Sequence, residues 1–414
     1  MKFLVWDIGI GFDHAKRLAE DGHSVYYYID ASDEFTTFEK FIQGEGHKNI
    51  IKVMDPGEAL LAGVDCIMFT DVGNGALADY FRKQGIPVFG ASYDGETLEQ
   101  DRAAAHVLLG RLGILTPPYR TVAGFPGVLE WFKKNLKDGK RYFLKLPIFR
   151  GNMETAMVTS LEEADIIIRG SGMMSKLGPF GDNFEFIIED GVKGVEIGID
   201  AFWNGEKLLE PQFFTFEIAS DLNVGRWVKT NETPWGPLLE KITPYLVETD
   251  YRGGFSFEGI WDGKNIYVLD CTCRFPYPGS MIFSRLLPNY SKFIYAVASK
   301  QDYELKPNKR YGATIGLYSD RSKEDWNILT APSGAGKVGL RSSVRWGSNL
   351  YVSPGEDFCA AVTSEADKWQ DLEKDLRGKH KKLYTVDGET IDESAFTTLV
   401  NEYIKPCKDY GFVF

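Results

Sequence analysis

At 414 residues the chain is long enough for two or three domains, each with a core of its own. A formal charge of −12 argues against a nucleic-acid polymer or an anionic membrane as main partner, whereas small anions held by local basic groups remain compatible with it. Five scattered cysteines imply no disulfide framework, and no run approaches the ~18 apolar residues of a membrane span. The opening MKFLVWDIGIGFDHA reads as a first strand rather than a signal peptide, so a soluble cytoplasmic protein, monomer or homodimer, is expected.

The first hundred residues alternate strand and helix. Strands are predicted at Phe3–Ile8, Ser24–Tyr28, Asn49–Val53, Cys66–Thr70 and Ile86–Phe89, with helices at Asp13–Glu20, Gly57–Leu61 and Ala76–Lys83. This order implies a parallel sheet covered on both faces, with ligands at the carboxyl ends of its strands. Gly9-Ile10-Gly11 stands where the first strand passes into a helix, and reads equally as a tight turn or as a main-chain anion site.

A helix is predicted over 94–113, and Leu115-Thr-Pro-Pro118 marks a boundary. Strands follow at Tyr142–Leu146, Thr155–Val158, Phe184–Glu189 and Val195–Phe202, with a helix over 160–169 and a mobile loop over Gly170–Asn183. Such a region, with a small core of its own, could act as a lid. Helices are predicted at Leu238–Val247 and Asn289–Ala298. Beyond 310 the chain is strand-rich (Ala313–Tyr318, Gly336–Leu340, Asn349–Ser353, Ala360–Thr363), ending in a helix over Ser364–Leu376 and a hairpin over Thr385–Ile391.

Asp262-Gly263-Lys264 predicts a three-residue turn joining Phe255–Trp261 to Asn265–Cys273. With Trp261 facing Asn265, Glu258 lies opposite Val268 and diagonal to Asp270, roughly 7–8 Å away. Asp270, Thr272 and Arg274 then share a face with Glu258, while Leu269, Cys271 and Cys273 face the other way. Two carboxylates and a hydroxyl suit magnesium, which takes few protein ligands, and Arg274 would fork onto phosphate or carboxylate. Acids on a solvated hairpin face fit the same pattern. Lys145, in an apolar strand before the glycine turn Arg150-Gly151-Asn152, reads either as a phosphate contact or as a solvated strand lysine. Glu189 and Glu196 could accept from ribose hydroxyls, and the main chain at Val192 could meet an adenine edge.

Taken in order, these motifs resemble the ATP-grasp superfamily, and within it most closely phosphoribosylamine–glycine ligase of purine synthesis. The resemblance runs over nearly the whole chain. Gly11-Phe-Asp-His-Ala15 resembles that enzyme's turn after strand one. Phe89-Gly90-Ala91 followed by Leu98-Glu99-Gln-Asp-Arg102 resembles its Phe-Gly-Pro and Leu-Glu-x-Ser-Lys passages, and Asp270-Cys-Thr-Cys-Arg274-Phe275 its metal strand. The family's first basic helix residue is usually Lys and stands here as Arg102. Its metal-strand Asn and Glu stand here as Thr272 and Asp270, and its glycine-rich substrate loop is replaced by Phe216–Thr230.

The resemblance implies an α/β fold of ATP-grasp architecture. A Rossmann-like domain would occupy 1–100, an ATP-grasp core 101–305 with a small α+β lid at 119–193, and a β-rich domain 306–414. It implies ATP and magnesium, or manganese, as cofactors, and an acid–amine ligase that passes through an acyl phosphate and releases ADP. Lys145, Arg102 and Arg274 would hold phosphate charge. Gly151, Glu189, Val192 and Glu196 would join Lys145 and Arg102 at the nucleotide, and Glu258, Asp270 and Thr272 would hold metal. Gly11, Asp13, Gly90, Arg226 and Lys229 are candidates for substrate contact, the last two by position in the substituted loop. A nucleotide sensor of the same fold is motivated by Thr272 and the missing loop, and a Rossmann oxidoreductase by Gly9-x-Gly11 alone.

Overall fold

In a computed structural model, which describes residues 1–30, 42–146, 155–170, 184–218, 222–331, 337–355, 357–379, 389–390 and 393–414, the apolar run Lys2–Asp7 (β1) is buried from Phe3 onward. It pairs in parallel with Ser24–Ile29 (β2) on one side and Cys66–Phe69 (β4) on the other. Ile50–Lys52 (β3) and Val88–Phe89 (β5) complete a five-stranded sheet in the order β3-β2-β1-β4-β5. Parallel pairing needs crossovers, and Phe12–Glu20 (α1) links β1 to β2, Pro56–Leu61 (α2) β3 to β4, and Gly75–Lys83 (α3) β4 to β5. Strand order reverses between β1 and β4, so the switch point where such sheets take ligands lies at the carboxyl ends of these two strands.

The helix predicted over 94–113 is two helices, Tyr93–Gln100 (α4) and Arg102–Arg111 (α5). Asp101 breaks them apart because its carboxylate caps the second, accepting from Ala104 N–H at 2.9 Å. Arg102 thereby becomes the first residue of α5.

The chain divides into two units, one of Met1–Glu96, Glu196–Phe257 and Thr272–Phe414, the other of Thr97–Val195 and Glu258–Cys271. In the second unit Tyr119–Ala123 (β6), Tyr142–Lys145 (β7), Thr155–Val158 (β8) and Glu185–Asp190 (β9) form an antiparallel sheet in the order β6-β9-β7-β8. Gly124–Asn135 (α6) and Leu161–Gly170 (α7) enclose its core, which includes Phe125, Phe132, Leu144, Val158 and Ile188.

The first unit carries the larger sheet. Val195–Asn204 (β10), Gln212–Ile218 (β11) and Leu222–Val228 (β12) follow one another in antiparallel register. Arg252–Trp261 (β13) lies beside β10 in the strand order, with Ile266–Thr272 (β14) on its other side. On the other side of β12 come Tyr311–Tyr318 (β15), then Phe358–Ala366 and Lys337–Leu340, while Asn327–Leu329 (β16), Val344–Trp346 and Asn349–Val352 form a separate three-stranded sheet.

Two further expectations change. Phe216–Thr230, read as a substrate loop, is mostly strand, since Gln212↔Val228 through Ile218↔Leu222 pair directly; residues 219–221 lie outside the described residues. The last long helix starts at Trp369 rather than Ser364, because Ser364 to Ala366 continue the strand paired with β15. Most of the predicted loop over Gly170–Asn183 and of the hairpin over Thr385–Ile391 falls outside the described residues. Among the described residues no helix is long and apolar enough to cross a membrane.

Candidate functional site

The second unit builds one connected polar cluster. Register places Phe143 of β7 opposite Glu189 of β9, so Lys145, two residues on, is a diagonal neighbour of Glu189 on the same face. Lys145 is 4% exposed and Glu189 fully buried, and Nζ stands 3.0 Å from Glu189 Oε2. Nζ also donates to the Leu269 carbonyl at 3.1 Å. On the other carboxylate oxygen, His106 Nε2 lies 3.1 Å from Oε1, and a carboxylate partner makes Nε2 the protonated ring nitrogen. The His106 ring stacks on Tyr119 at 4.2 Å, and Tyr119 itself pairs with Glu189 across β6 and β9.

Arg102, one helical turn before His106, points to the hairpin. Its NH2 donates to Asp270 Oδ2 at 3.0 Å and Oδ1 at 3.2 Å, and its NH1 donates to the Leu146 carbonyl at 2.7 Å. The two cations thus interlace two strand steps: Lys145 holds the carbonyl before Asp270, and Arg102 holds the carbonyl after Lys145.

The hairpin turn differs from its expected form. Asp262 N–H donates to the Asn265 carbonyl at 3.1 Å, so Asp262 rather than Trp261 faces Asn265. The Asp262 carboxylate explains this, accepting from the N–H groups of Lys264 (2.8 Å) and Asn265 (2.6 Å) while Gly263 takes a φ of 93°. A one-residue shift would reverse every later side chain. The alternation is broken before that matters: Ile266, Val268 and Cys271 are buried, whereas Tyr267, Leu269, Asp270 and Thr272 are half-buried. Burial along the strand thus does not keep the expected alternation at Leu269 and Asp270. Cys271 and Cys273 are buried. Burial, and beside it the charges of Asp270, Glu99 and Glu258, push the Cys271 thiol pKa well up. Glu258 is half-buried on β13, and among the described residues no three His, Cys, Asp or Glu side chains converge into a metal site of their own.

Of the other nucleotide candidates, Val192 is half-buried in the connection after β9, where Gly191 N–H donates to the Arg141 carbonyl at 2.8 Å, and Gly151 lies outside the described residues. Glu196 is exposed on β10 in the first unit.

The first-unit candidates are largely engaged with the fold. Arg274 Nε stands 2.9 Å from Asp71 Oδ1. Asp13 is buried against Arg285 at 3.0 Å and accepts from Ser284 Oγ at 2.6 Å. Gly90 N–H donates to the Arg252 carbonyl at 2.6 Å. Arg226 is buried on β12, donating to the Val413 carbonyl at 2.8 Å with its guanidinium over the Phe412 ring, so its side chain secures the segment that covers β11. Lys229 is exposed just beyond β12. Gly11 donates its N–H to Asp7 Oδ1 at 2.9 Å, and a Cβ there would stand 2.3 Å from Thr70 Cγ2. The Gly9-Ile10-Gly11 turn is thus a tight turn in which the Ile10 and Gly11 N–H groups are used within the chain.

Sequence reasoning missed His106 and Asp7. His106 follows Arg102 by one turn, a spacing that marks a shared helix face and could have paired them. Asp7 carries no such signal, because its partners come from β2, the residue after β4 and a turn.

No family model matches the sequence. Solved structures do match. Phosphoribosylamine–glycine ligase from Thermotoga maritima aligns with a TM-score of 0.69 and 14% identity, over 94% of this chain and 99% of that one. The biotin carboxylase domain of 2-oxoglutarate carboxylase from Hydrogenobacter thermophilus, solved with MgADP and bicarbonate, gives 0.69 and 14% over 100% and 96%. N5-carboxyaminoimidazole ribonucleotide synthetase from Thermus thermophilus gives 0.59 and 16% over 92% and 98%. A match of this extent, joined to the parallel sheet and the antiparallel sheets described above, shows that the chain has the ATP-grasp fold.

Proposed function

We propose that this protein is an ATP- and magnesium-dependent ligase that joins a carboxylate to an amine through an acyl phosphate, releasing ADP and phosphate. One observation carries the reading: in the second unit Lys145 and Arg102 interlace the end of β7 at 145–146 with β14 at 269–270, two cations beside Asp270 and Glu189. A polyphosphate asks for such fixed cations, since phosphoryl transfer depends mainly on positioning and electrostatic stabilisation.

The donor set also suits magnesium. Asp270 and Glu258 offer two hard carboxylates on paired strands, although Arg102 holds the Asp270 oxygens and a metal has to compete with it for them. Bound there, the ion would neutralise β- and γ-phosphate charge. Lys145 and Arg102 would turn from their carbonyls and carboxylates to phosphate oxygens, and the main chain at Val192 would meet the adenine edge. In the first unit Glu196 remains a candidate for the ribose hydroxyls and Arg274 for phosphate charge. With the carboxylate activated as an acyl phosphate, attack by the amine nitrogen forms the C–N bond and expels phosphate.

The test is ADP release with a panel of carboxylates and amines. Magnesium-dependent release that Asp270→Asn and Glu258→Gln both abolish, with the fold intact, is expected; wild-type rates in both variants would sink the assignment. Magnesium-dependent ATP binding with no turnover on any pair would leave a nucleotide sensor.

A further inference from the structure

The switch-point crevice between β1 and β4 is filled by the protein itself. Asp7, fully buried at the end of β1, accepts through Oδ1 from the N–H groups of Ile8 (2.9 Å), Ile10 (3.2 Å) and Gly11 (2.9 Å). The same oxygen accepts from Thr70 Oγ1 at 2.6 Å, and Oδ2 accepts from the Tyr27 hydroxyl at 2.5 Å. Thr70 directly follows β4, so one carboxylate ties together the strand ends that flank the switch point. A glycine turn leading into a helix offers main-chain donors to an anion. Here the anion is Asp7.

The neighbouring loop repeats the arrangement independently. Where β4 leads into α3 the N–H groups of Gly73 and Gly75 both donate to Glu96 Oε2, at 2.7 and 3.0 Å, and Glu96 is 4% exposed. A Cβ on Gly75 would stand 2.6 Å from the Tyr93 Cα, so this glycine, like Gly11, is explained by packing within the chain.

A phosphate entering either loop would meet donors already used and a resident negative charge. Displacing the carboxylate would leave it buried without those hydrogen bonds, a costly state. Two of the similar structures are named for a phosphoribosyl and a ribonucleotide compound. We propose that Asp7 and Glu96 are specificity-determining residues that close this sheet edge to phosphorylated substrates, so that the acid and amine used by this protein present no phosphate there. The mention of acid and amine rests on the ligase reading; the closure to phosphate does not.

The test is titration of the nucleotide-free, full-length chain with inorganic phosphate and with ribose 5-phosphate, following the amide signals of Ile10, Gly11, Gly73 and Gly75. Wild type is expected to show no saturable change. Glu96→Ala, which frees Gly73 and Gly75, and Asp7→Ala, which frees Ile10 and Gly11, are each expected to tighten phosphate binding by about ten- to a hundredfold, the worth of one or two charge-assisted hydrogen bonds. Saturable changes at these amides in the wild type would overturn the proposal, as would folded variants that gain no binding. Thermal unfolding shows which variants fold; if Asp7→Ala does not, the wild-type and Glu96→Ala titrations decide. No turnover enters this measurement, so failure of the ligase reading leaves its result standing.

Discussion

Arg102 grips both oxygens of Asp270, at 3.0 and 3.2 Å, across 168 residues of sequence. A divalent cation at Asp270 needs at least one of those oxygens, so guanidinium and metal compete for the carboxylate. Asp270 is partly exposed, which keeps the contest modest. Arg102→Gln is expected to tighten Mn2+ binding to the nucleotide-free protein several-fold, about tenfold at most, while weakening ATP binding. Electron paramagnetic resonance of free Mn2+ reads the first effect. Equal affinity in wild type and variant would show that the fork does not oppose the cation.

Lys145 and Glu189 form a buried pair, and removing one partner strands the other. Lys145→Met is expected to cost about 3–5 kcal/mol in urea unfolding. The double variant Lys145→Met with Glu189→Gln should recover part of that loss, because no buried charge is then left facing the missing amine. Both variants should lose ATP binding; loss of stability without any loss of ATP binding would separate this pair from the nucleotide site.

Burial pushes the pKa of His14 down from 6.5 to about 4, outweighing the nearby charges of Asp13 and Asp7. Below pH 6.5 the unfolded chain takes up this proton and the folded chain does not, so the unfolded state binds more protons and stability falls as pH falls, until about pH 4. The full contribution is about 3 kcal/mol. His14→Gln, which keeps an acceptor for the Tyr290 hydroxyl at 2.7 Å, should flatten the slope of unfolding free energy between pH 6.5 and 4.

Asp200 has the opposite sign. Burial, with a further push from Glu217 and against the hydrogen bond from Ser256, raises its pKa from 3.8 to about 7. Between those values the folded chain holds a proton that the unfolded chain has lost, so this group lowers stability as pH rises toward 7. Asp200→Asn keeps a partner for Ser256 Oγ, which lies 2.6 Å away, and should stabilise the protein at pH 8 by on the order of 4 kcal/mol while changing little at pH 4. Equal effects at both pH values would contradict the shift.

Arg226 gives a prediction about function by way of stability. Its contacts are the Val413 carbonyl and the Phe412 ring. Arg226→Ala should cost about 1–3 kcal/mol and leave the substrate KM unchanged. A KM change at full stability would restore this residue to substrate recognition.

Local signals carried most of the fold. The strands of the parallel sheet announced themselves as apolar runs with glycine and proline punctuation, and Asp262-Gly263 announced the hairpin. What escaped depended on partners distant in sequence. Asp101 ended one helix by capping the next, a choice settled by a single hydrogen bond to Ala104. β11 and β12 lie where the family's glycine-rich loop is expected, although Phe213, Phe214, Phe216, Val224, Trp227 and Val228 are strand formers buried there. In the site, Lys145 and Glu189 could each be marked in the sequence, but not their pairing, which the register of β7 and β9 decides. The filled state of the glycine turn was also out of reach, since Asp7 looks like any strand-end acid until Tyr27 and Thr70 close on it.

The second unit is assembled from two stretches of chain, Thr97–Val195 and Glu258–Cys271. A contiguous fragment spanning only the first stretch would contain Lys145 and Arg102 but lack the Leu269 carbonyl and the Asp270 carboxylate that hold them. Contacts this far apart in sequence also carry the entropic cost of closing a long loop. Dissection of this protein must therefore follow the fold rather than the chain, and a fragment meant to report on Lys145 and Arg102 needs the β13–β14 hairpin fused back to it.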